Sequence, residues 1–593
     1  MRLKPYIRVD PTIEPTDSDS GGGPATPPSQ SRRVILTAES RGRVDTLIMI
    51  SRLVFGVPTD TRRDIDRRTV LTYVGTAGAV GLAGCAGDGG SGGDDASDDG
   101  STETDDAAGA NASDGFEIDV TMGQMDSGLD PQDHAETNTE IIVGQAYEGL
   151  LDRDKSGSII AGLADEWERT EDGSVRFSLR DGVTFHNGDA VTPEDVAFSI
   201  RRIVSDDVGI VSPQSNDLGS VTEVTPGDGA VTVSFEGYNP IAFQLFATNG
   251  EIVQQSWIES NDGDYINRNT NGTGPFRVTE YDSGNEVVYE AFDDYWGGVP
   301  AADTLTMGAS SESSTRVNRL LAEETDIVTN VPPNEVSRVE SSDVASIASV
   351  ASVRTIFLQM RYDVEPFSSR QFRQAMNYAV DVGSIVENVL NGFGAITSQP
   401  TLEGHVGHNP DVEPYPYDPD EAERLVEASG HAGVEITLQT PIGRYLRDVE
   451  IAQAAADQID SLSNVSCSLE QREFSSLVQD ITAPNIEDRP VFNLLGWGNG
   501  EFDGSQTLTP LLSSDGALTV LKNEDLDALL VEAEQTSNPD ERVETLQAAN
   551  ELAHDIAPWV FLHQQFSVYG VASELEWEPR ADEFIDPDTA TRR

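Results

Sequence analysis

The stretch Phe177-Ser178-Leu179-Arg180-Asp181-Gly182-Val183-Thr184-Phe185-His186-Asn187-Gly188, followed by Thr192-Pro193-Glu194-Asp195-Val196, changes its hydrophobic period as it runs. Val175, Phe177 and Leu179 alternate with polar residues, the period of a strand with one buried face. Gly182 and Gly188, with Gly149 upstream, are expected at turns that need positive φ. Thr192 then offers a capping oxygen, Pro193 suits the first helical position, and an acid follows in the first turn. Val196, Ile200 and Ile203 recur at helical spacing behind it. Strand, turn and capped helix in succession put the chain in the α/β class.

Outward from this stretch the same signals return. Asp418-Pro419-Asp420-Glu421 and Asn538-Pro539-Asp540-Glu541 repeat the cap, proline and acid order. Apolar stripes follow each: Ala422, Leu425 and Val426, then Val543, Leu546 and Ala553. Val231, Val233 and Phe235 read as a strand, as does Val465-Ser466-Cys467-Ser468-Leu469, where Cys467 is expected to be a small buried hydrophobe. No short-period repeat of the solenoid kind is present.

Toward the N-terminus, Arg67-Arg68 precede a mildly apolar run from Val70 to Leu82 and then Leu82-Ala83-Gly84-Cys85. Twin arginines, an h-region and small residues before a cysteine read as a twin-arginine export signal with a lipid-attachment site at Cys85. The apolar run is far short of the roughly 20 residues a spanning helix needs, so anchoring falls to lipid. Residues 1–66 are expected to be a disposable extension or a misassigned start, with Met49 a plausible first residue. Residues 86–115, almost all Gly, Ser, Asp, Thr and Ala, read as an acidic flexible tether.

Against 38 Lys and Arg stand 103 Asp and Glu, a formal charge of −65, with Lys4, Lys155 and Lys522 the only lysines. Nucleic acid is excluded as a partner, because phosphate binding needs clustered cations. Twenty Phe, fourteen Tyr and six Trp argue for a folded chain with an acidic coat. Such a coat suits concentrated salt, which screens its self-repulsion, and implies a halophilic source.

Catalytic patterns are missing. The seven histidines occur without a His-Glu-x-x-His pair, and no cysteine pair or phosphate-binding loop accompanies them. His405 and His408, in a glycine-rich stretch, read as an exposed loop rather than a metal site. Gly89-Gly90-Ser91-Gly92-Gly93 matches a nucleophile elbow in letters only, since no strand or helix flanks it. No enzyme activity, metal or cofactor is expected.

A longer set of blocks carries a family resemblance. Leu129-Asp130-Pro131, Tyr147-Glu148-Gly149-Leu150-Leu151, Gly162-Leu163-Ala164-Asp165-Glu166-Trp167 and the opening stretch come first. Gly272-Thr273-Gly274-Pro275-Phe276, Asp294-Tyr295-Trp296, the run Phe372 to Asp381, Gly496-Trp497-Gly498 and Ala557-Pro558-Trp559-Val560 follow in order. Together they resemble family 5 of the extracytoplasmic solute-binding proteins, the dipeptide, oligopeptide and nickel receptors of ABC importers.

The resemblance implies a type II periplasmic-binding-protein-like α/β fold of two lobes joined by a hinge. Lobe I would comprise 116–150, 256–354 and 563–593, with an extra subdomain at 151–255, and lobe II would be 355–562. The hinge would lie near 355 and 562. Its implied role is a lipid-anchored, extracellular receptor, expected to be monomeric, that captures di- or oligopeptides for an ABC permease and ATPase. Another solute, such as an oligosaccharide or nickel complex, is the alternative, and a secreted hydrolase or a purely structural surface protein are distant ones.

In peptide-binding relatives an aspartate three residues beyond the tryptophan of the Gly-Trp block accepts the peptide amine; here that position is Gly500. Glu501 and Asp503 stand nearby as candidates to replace it, because a buried ammonium needs a carboxylate. Trp497 and Asn499 belong to the same block, and Arg444-Tyr445 resemble the family's carboxylate-pairing arginine and its neighbour.

Overall fold

A computed structural model describes residues 116–134, 136–205 and 210–593. The export signal at Arg67-Arg68, Cys85, Met49 and the tether at 86–115 lie outside the described residues.

Eleven strands form one mixed sheet. Across it run Val465–Arg472, Val434–Pro441, Phe492–Gly498, Ala345–Met360, Trp559–Ala572, Ile327–Val328, Phe116–Met122, Ala302–Ala309, Glu286–Ala291 and Phe276–Asp282; Gly394–Ile396 adds to Trp559–Ala572 off this path. The strands at the centre decide the architecture. Ala345–Met360 and Trp559–Ala572 pair antiparallel along nearly their whole lengths, but the register shifts between Ala351 and Thr355. On one side of the shift, Ile327–Val328 pairs with Val571 and Gly570. On the other, Phe492–Gly498 pairs with Arg354 to Met360. Two long strands thus thread both halves of the sheet.

Alternation along these strands explains the layering. Ile356, Leu358, Leu494 and Val560 point into a core with Phe372, Met376, Ile436 and Ile451, while Phe357, Leu495 and Phe561 point into another with Leu508, Leu511 and Leu546. Both faces of the sheet are therefore apolar and each is covered by helices. A separate core joins the four-stranded antiparallel sheet Ala164–Arg169, Val175–Leu179, Ala230–Phe235 and Val221–Gly227 to the helix Pro193–Val204.

The helix starts read from the sequence are present. Thr192 and Asp195 form a reciprocal capping box, Asp418 accepts from the Glu421 N–H, and Asn538 accepts from the Asp540 N–H. These begin Pro193–Val204, Pro419–Ser429 and Pro539–Ile556. Gly182 and Gly188 adopt positive φ (83° and 87°). Gly149 does not; it is small for lack of space, since a Cβ there would lie 3.3 Å from the Leu151 carbonyl oxygen. Cys467 is only half-buried, because Val465–Arg472 is the sheet's edge strand, and burial pushes its thiol up to about 12.

Three of the sequence blocks meet at one side chain. The Glu148 carboxylate accepts from the Thr273 hydroxyl (2.7 Å), the Tyr295 hydroxyl (3.0 Å) and the Trp296 indole N–H (3.0 Å). Gly272 has no room for a side chain: a Cβ would stand 1.9 Å from the Ala146 carbonyl oxygen. The blocks are scaffold, tied through Glu148.

Burial raises Glu148 from the ordinary carboxylate range to about 7, against the pull of its hydrogen bonds. Between the unfolded and folded values the native state binds the proton and the unfolded chain does not, so stability grows as pH falls through about 7. Acidification from pH 8 to pH 5 should let Glu148 add roughly 2 kcal/mol of stability, a rise opposed by His134, His186 and His405, whose folded values of about 4 lie below the unfolded one. Glu148→Gln should flatten that rise; an unchanged pH profile in the variant would remove Glu148 as its source.

Candidate functional site

Val434–Pro441 pairs parallel with Phe492–Gly498 at Gln439 opposite Asn493. Past the carboxyl end of Val434–Pro441, beside Phe492–Gly498, lies a cavity. It is lined by Arg354, Arg444, Tyr445, Phe474, Trp497 and Leu518, with Val478, Ile481, Leu495 and the two glycines of the Gly-Trp-Gly block. Open crevices beyond strand ends are where α/β sheets present ligands.

The two glycines make the wall flat. A Cβ on Gly496 would lie 2.7 Å from the Tyr445 ring, and one on Gly498 would lie 3.2 Å from the Arg354 guanidinium. The ring and the guanidinium thus rest directly on the strand, and the Tyr445 hydroxyl donates to the Gly496 carbonyl at 3.2 Å. Trp497 is buried, and its indole N–H donates to the Gln506 carbonyl at 3.0 Å, which fixes its ring.

Arg444 is held by its backbone. Asp448, at the start of the helix Asp448–Asp460, accepts from the N–H groups of Gly443, Arg444 and Tyr445 at 3.2, 2.7 and 3.1 Å. The Arg444 guanidinium lies 5.3 Å from the Tyr445 ring centroid and 5.2 Å from that of Phe474, within cation–π reach. Its buried Nε has no hydrogen-bond partner, and among the described residues no ion pair involves it. Burial, followed by the nearby Arg354 charge, depresses its pKa.

The structure therefore brings Arg444, Tyr445 and Trp497 together around one cavity, and leaves Asn499, Glu501 and Asp503 on the turn beyond it. Asn499 braces that turn: its N–H donates to the Val353 carbonyl (3.0 Å), and its amide to the Asp503 carbonyl (2.8 Å) and the Thr507 hydroxyl (2.9 Å). Asp503, fully buried, spends both carboxylate oxygens on Arg542 (2.7 and 2.8 Å) and one also on Ser505. Its carboxylate is a structural ion-pair partner in this arrangement. Glu501 is half-buried, with its carboxyl raised by desolvation and opposed by the Arg153 charge. Arg153 donates to the Glu501 carbonyl at 3.3 Å and lies 4.9 Å from the Phe502 ring centroid, so this turn abuts the 151–255 segment. The 404–410 stretch is not an exposed loop throughout: His405 is buried, its ring 4.8 Å from that of Phe502, and burial holds it near 4.

Two site residues escaped sequence reasoning. Arg354 lies in the middle of a strand and reaches the cavity only because Gly498 pairs opposite it. Asp448 is indistinguishable in sequence from any acid in a first helical turn.

The family model described as bacterial extracellular solute-binding proteins, family 5 Middle, matches residues 158–518. The dipeptide-binding protein of Escherichia coli (strain K12) is 26% identical over 434 residues, covering 68% of this chain and 80% of that protein. Heme-binding protein A of Haemophilus influenzae is 24% identical over 450 residues, covering 70% and 81%. Among solved structures, the ABC transporter-associated periplasmic binding protein DppA from Helicobacter pylori, in complex with the peptide STSA, superposes with a TM-score of 0.67 at 20% identity, covering 81% of this chain and 98% of that one.

Proposed function

The chain belongs to family 5 of the bacterial extracellular solute-binding proteins, a family of receptors and not of enzymes, and from that premise we propose that it captures di- or oligopeptides for an ABC importer. The observation that carries the peptide reading is the Arg444 guanidinium: buried at its Nε, free of any ion pair among the described residues, and set beside Tyr445 and Trp497 in one cavity. Such a group suits a peptide carboxylate through charge-assisted hydrogen bonds. Glu501 is the carboxylate for the peptide amine, because Asp503 is already engaged by Arg542. The dipeptide-binding relative and the peptide-bound neighbour support the same solute class.

We place lobe I at 116–150, 256–354 and 563–593, the extra subdomain at 151–255 and lobe II at 355–562. The cores support this division: one cluster draws on residues from Leu150 to Ile252, and two others only on residues from Ile356 to Leu562. The register shift after Ala351 is the hinge on the first crossing strand, and Arg354 brings the cavity to its edge. A solute touching both lobes stabilises the closed form by its differential affinity for it. Export through Arg67-Arg68, a lipid on Cys85 and a salt-adapted acidic surface complete the proposal.

The test is calorimetry with a panel of di- and tripeptides and their C-terminally amidated counterparts. Free peptides should bind, amidation should weaken binding at least about tenfold, and Arg444→Ala should do the same to the free acid. Silence from the whole panel overturns the peptide reading and turns attention to other solutes, as the heme-binding relative's name invites.

A further inference from the structure

In a chain with 103 acids and 38 Lys plus Arg, a buried guanidinium has carboxylates to spare. Arg202 takes Asp130 at 2.5 Å, Arg542 takes Asp503 at 2.7 Å, and Arg580 takes Asp582 at 2.6 Å and Asp586 at 3.0 Å. Arg153, Arg316 and Arg373, also buried, instead donate to backbone carbonyls, and the cavity departs from both patterns. Two guanidiniums, Arg354 and Arg444, border it; Arg444 has no ion pair among the described residues, and Arg354 has a single long contact, 3.5 Å to Glu583.

Like charges sharing a partly desolvated cavity repel, and each needs an anion to offset its lost hydration. Arg354 lies flat on Gly498, where a Cβ would stand 3.2 Å from its guanidinium and crowd it. Its one ionic contact, Glu583, belongs to the C-terminal segment whose Trp577 and Ile585 pack in the core around Phe276 and Tyr289. Glu583 is therefore a carboxylate reaching across to this corner of the cavity, held with a left-handed φ of 74°.

Resting on the receptor reading above, we propose that Arg354 is a second anion-binding residue and that the solute carries two acidic groups at one end. A peptide whose C-terminal residue is itself acidic has this form. One carboxylate meets Arg444 and the other meets Arg354, where Glu583 competes for it. The apolar wall of Phe474, Val478, Ile481, Leu495 and Leu518 then takes uncharged bulk rather than a further charge.

The experiment is titration calorimetry of the full folded protein with two matched pairs: Ala-Ala-Glu against Ala-Ala-Gln, and glutarate against butyrate. The member of each pair with two carboxylates should bind about tenfold tighter. Arg354→Gln should erase that preference by weakening the doubly charged member far more than the singly charged one, whereas Glu583→Gln should strengthen binding of the doubly charged member alone. Thermal melts within a few degrees of the parent establish that both variants fold. Equal affinities within both pairs, a lack of binding in both, or an equal loss for both members in Arg354→Gln, overturns the proposal. A glutarate preference abolished by Arg354→Gln, with both peptides silent, upholds the two-anion site and rejects peptides as its cargo.

Discussion

Replacing Arg542 with methionine should cost about 3–5 kcal/mol of stability, the loss typical of stranding one member of a buried ion pair. The Asp503 carboxylate is fully buried and accepts two guanidinium hydrogen bonds from Arg542, with the Ser505 hydroxyl and N–H as its other partners. Methionine keeps the volume but leaves that carboxylate charged in a site without a counterion. The variant Asp503→Asn removes the charge and should be milder, and the double variant should recover much of the loss, because an uncharged pair has no ion to strand. Urea unfolding of the four proteins, followed by tryptophan emission, measures the coupling directly. Additive effects of the two single changes would mean that the pair does not act as a unit.

The consequence reaches the turn that bears Glu501. The Val406 N–H donates to the Phe502 carbonyl and the Gly504 N–H to the Val406 carbonyl, so Asp503 sits between two backbone bonds that hold the Glu501-bearing turn. Loss of the ion pair should therefore weaken solute affinity along with stability.

The reach of the sequence follows the range of the interactions. Helix starts at Thr192, Asp418 and Asn538 were legible because cap, proline and acid all lie within one turn of chain. Trp497, Tyr445 and Arg444 could be picked out because they lie in or beside a recognisable block, and they do share a cavity. Arg354 could not, since its position depends on a strand pairing with a residue more than a hundred positions away. Asp503 and Glu501, two apart on one turn, looked equivalent among so many acids; only the helix Pro539–Ile556, which delivers Arg542, separates their roles. Gly149 and Gly272 were visible as glycines of blocks, but the reason, the nearness of the Leu151 and Ala146 carbonyls, is a property of packing.

Trp559→Ala should lower stability by about 3–5 kcal/mol, the range for deleting a large aromatic from a core. Trp559 is fully buried and stacks on Phe357 with ring centroids 3.7 Å apart and planes 14° from parallel. Its carbonyl accepts from the Asn377 amide at 2.8 Å. The chain enters it through Ala557, which turns with φ 52°, and Arg373 donates to the carbonyls of Ile556 and Ala557. These bonds place the indole independently of its own side chain, so truncation leaves a cavity rather than a collapsed strand. That cavity opens in the same core as Leu495, Trp497 and Leu518, which wall the candidate site. Trp559→Ala should accordingly weaken solute binding, whereas Arg444→Ala should weaken binding with little change in stability. Trp559→Phe, which keeps a stacked ring, should restore most of both. Denaturant unfolding and calorimetry on the three variants separate the cases: full affinity in a destabilised Trp559→Ala would show that the wall at Trp497 stands without the core behind it.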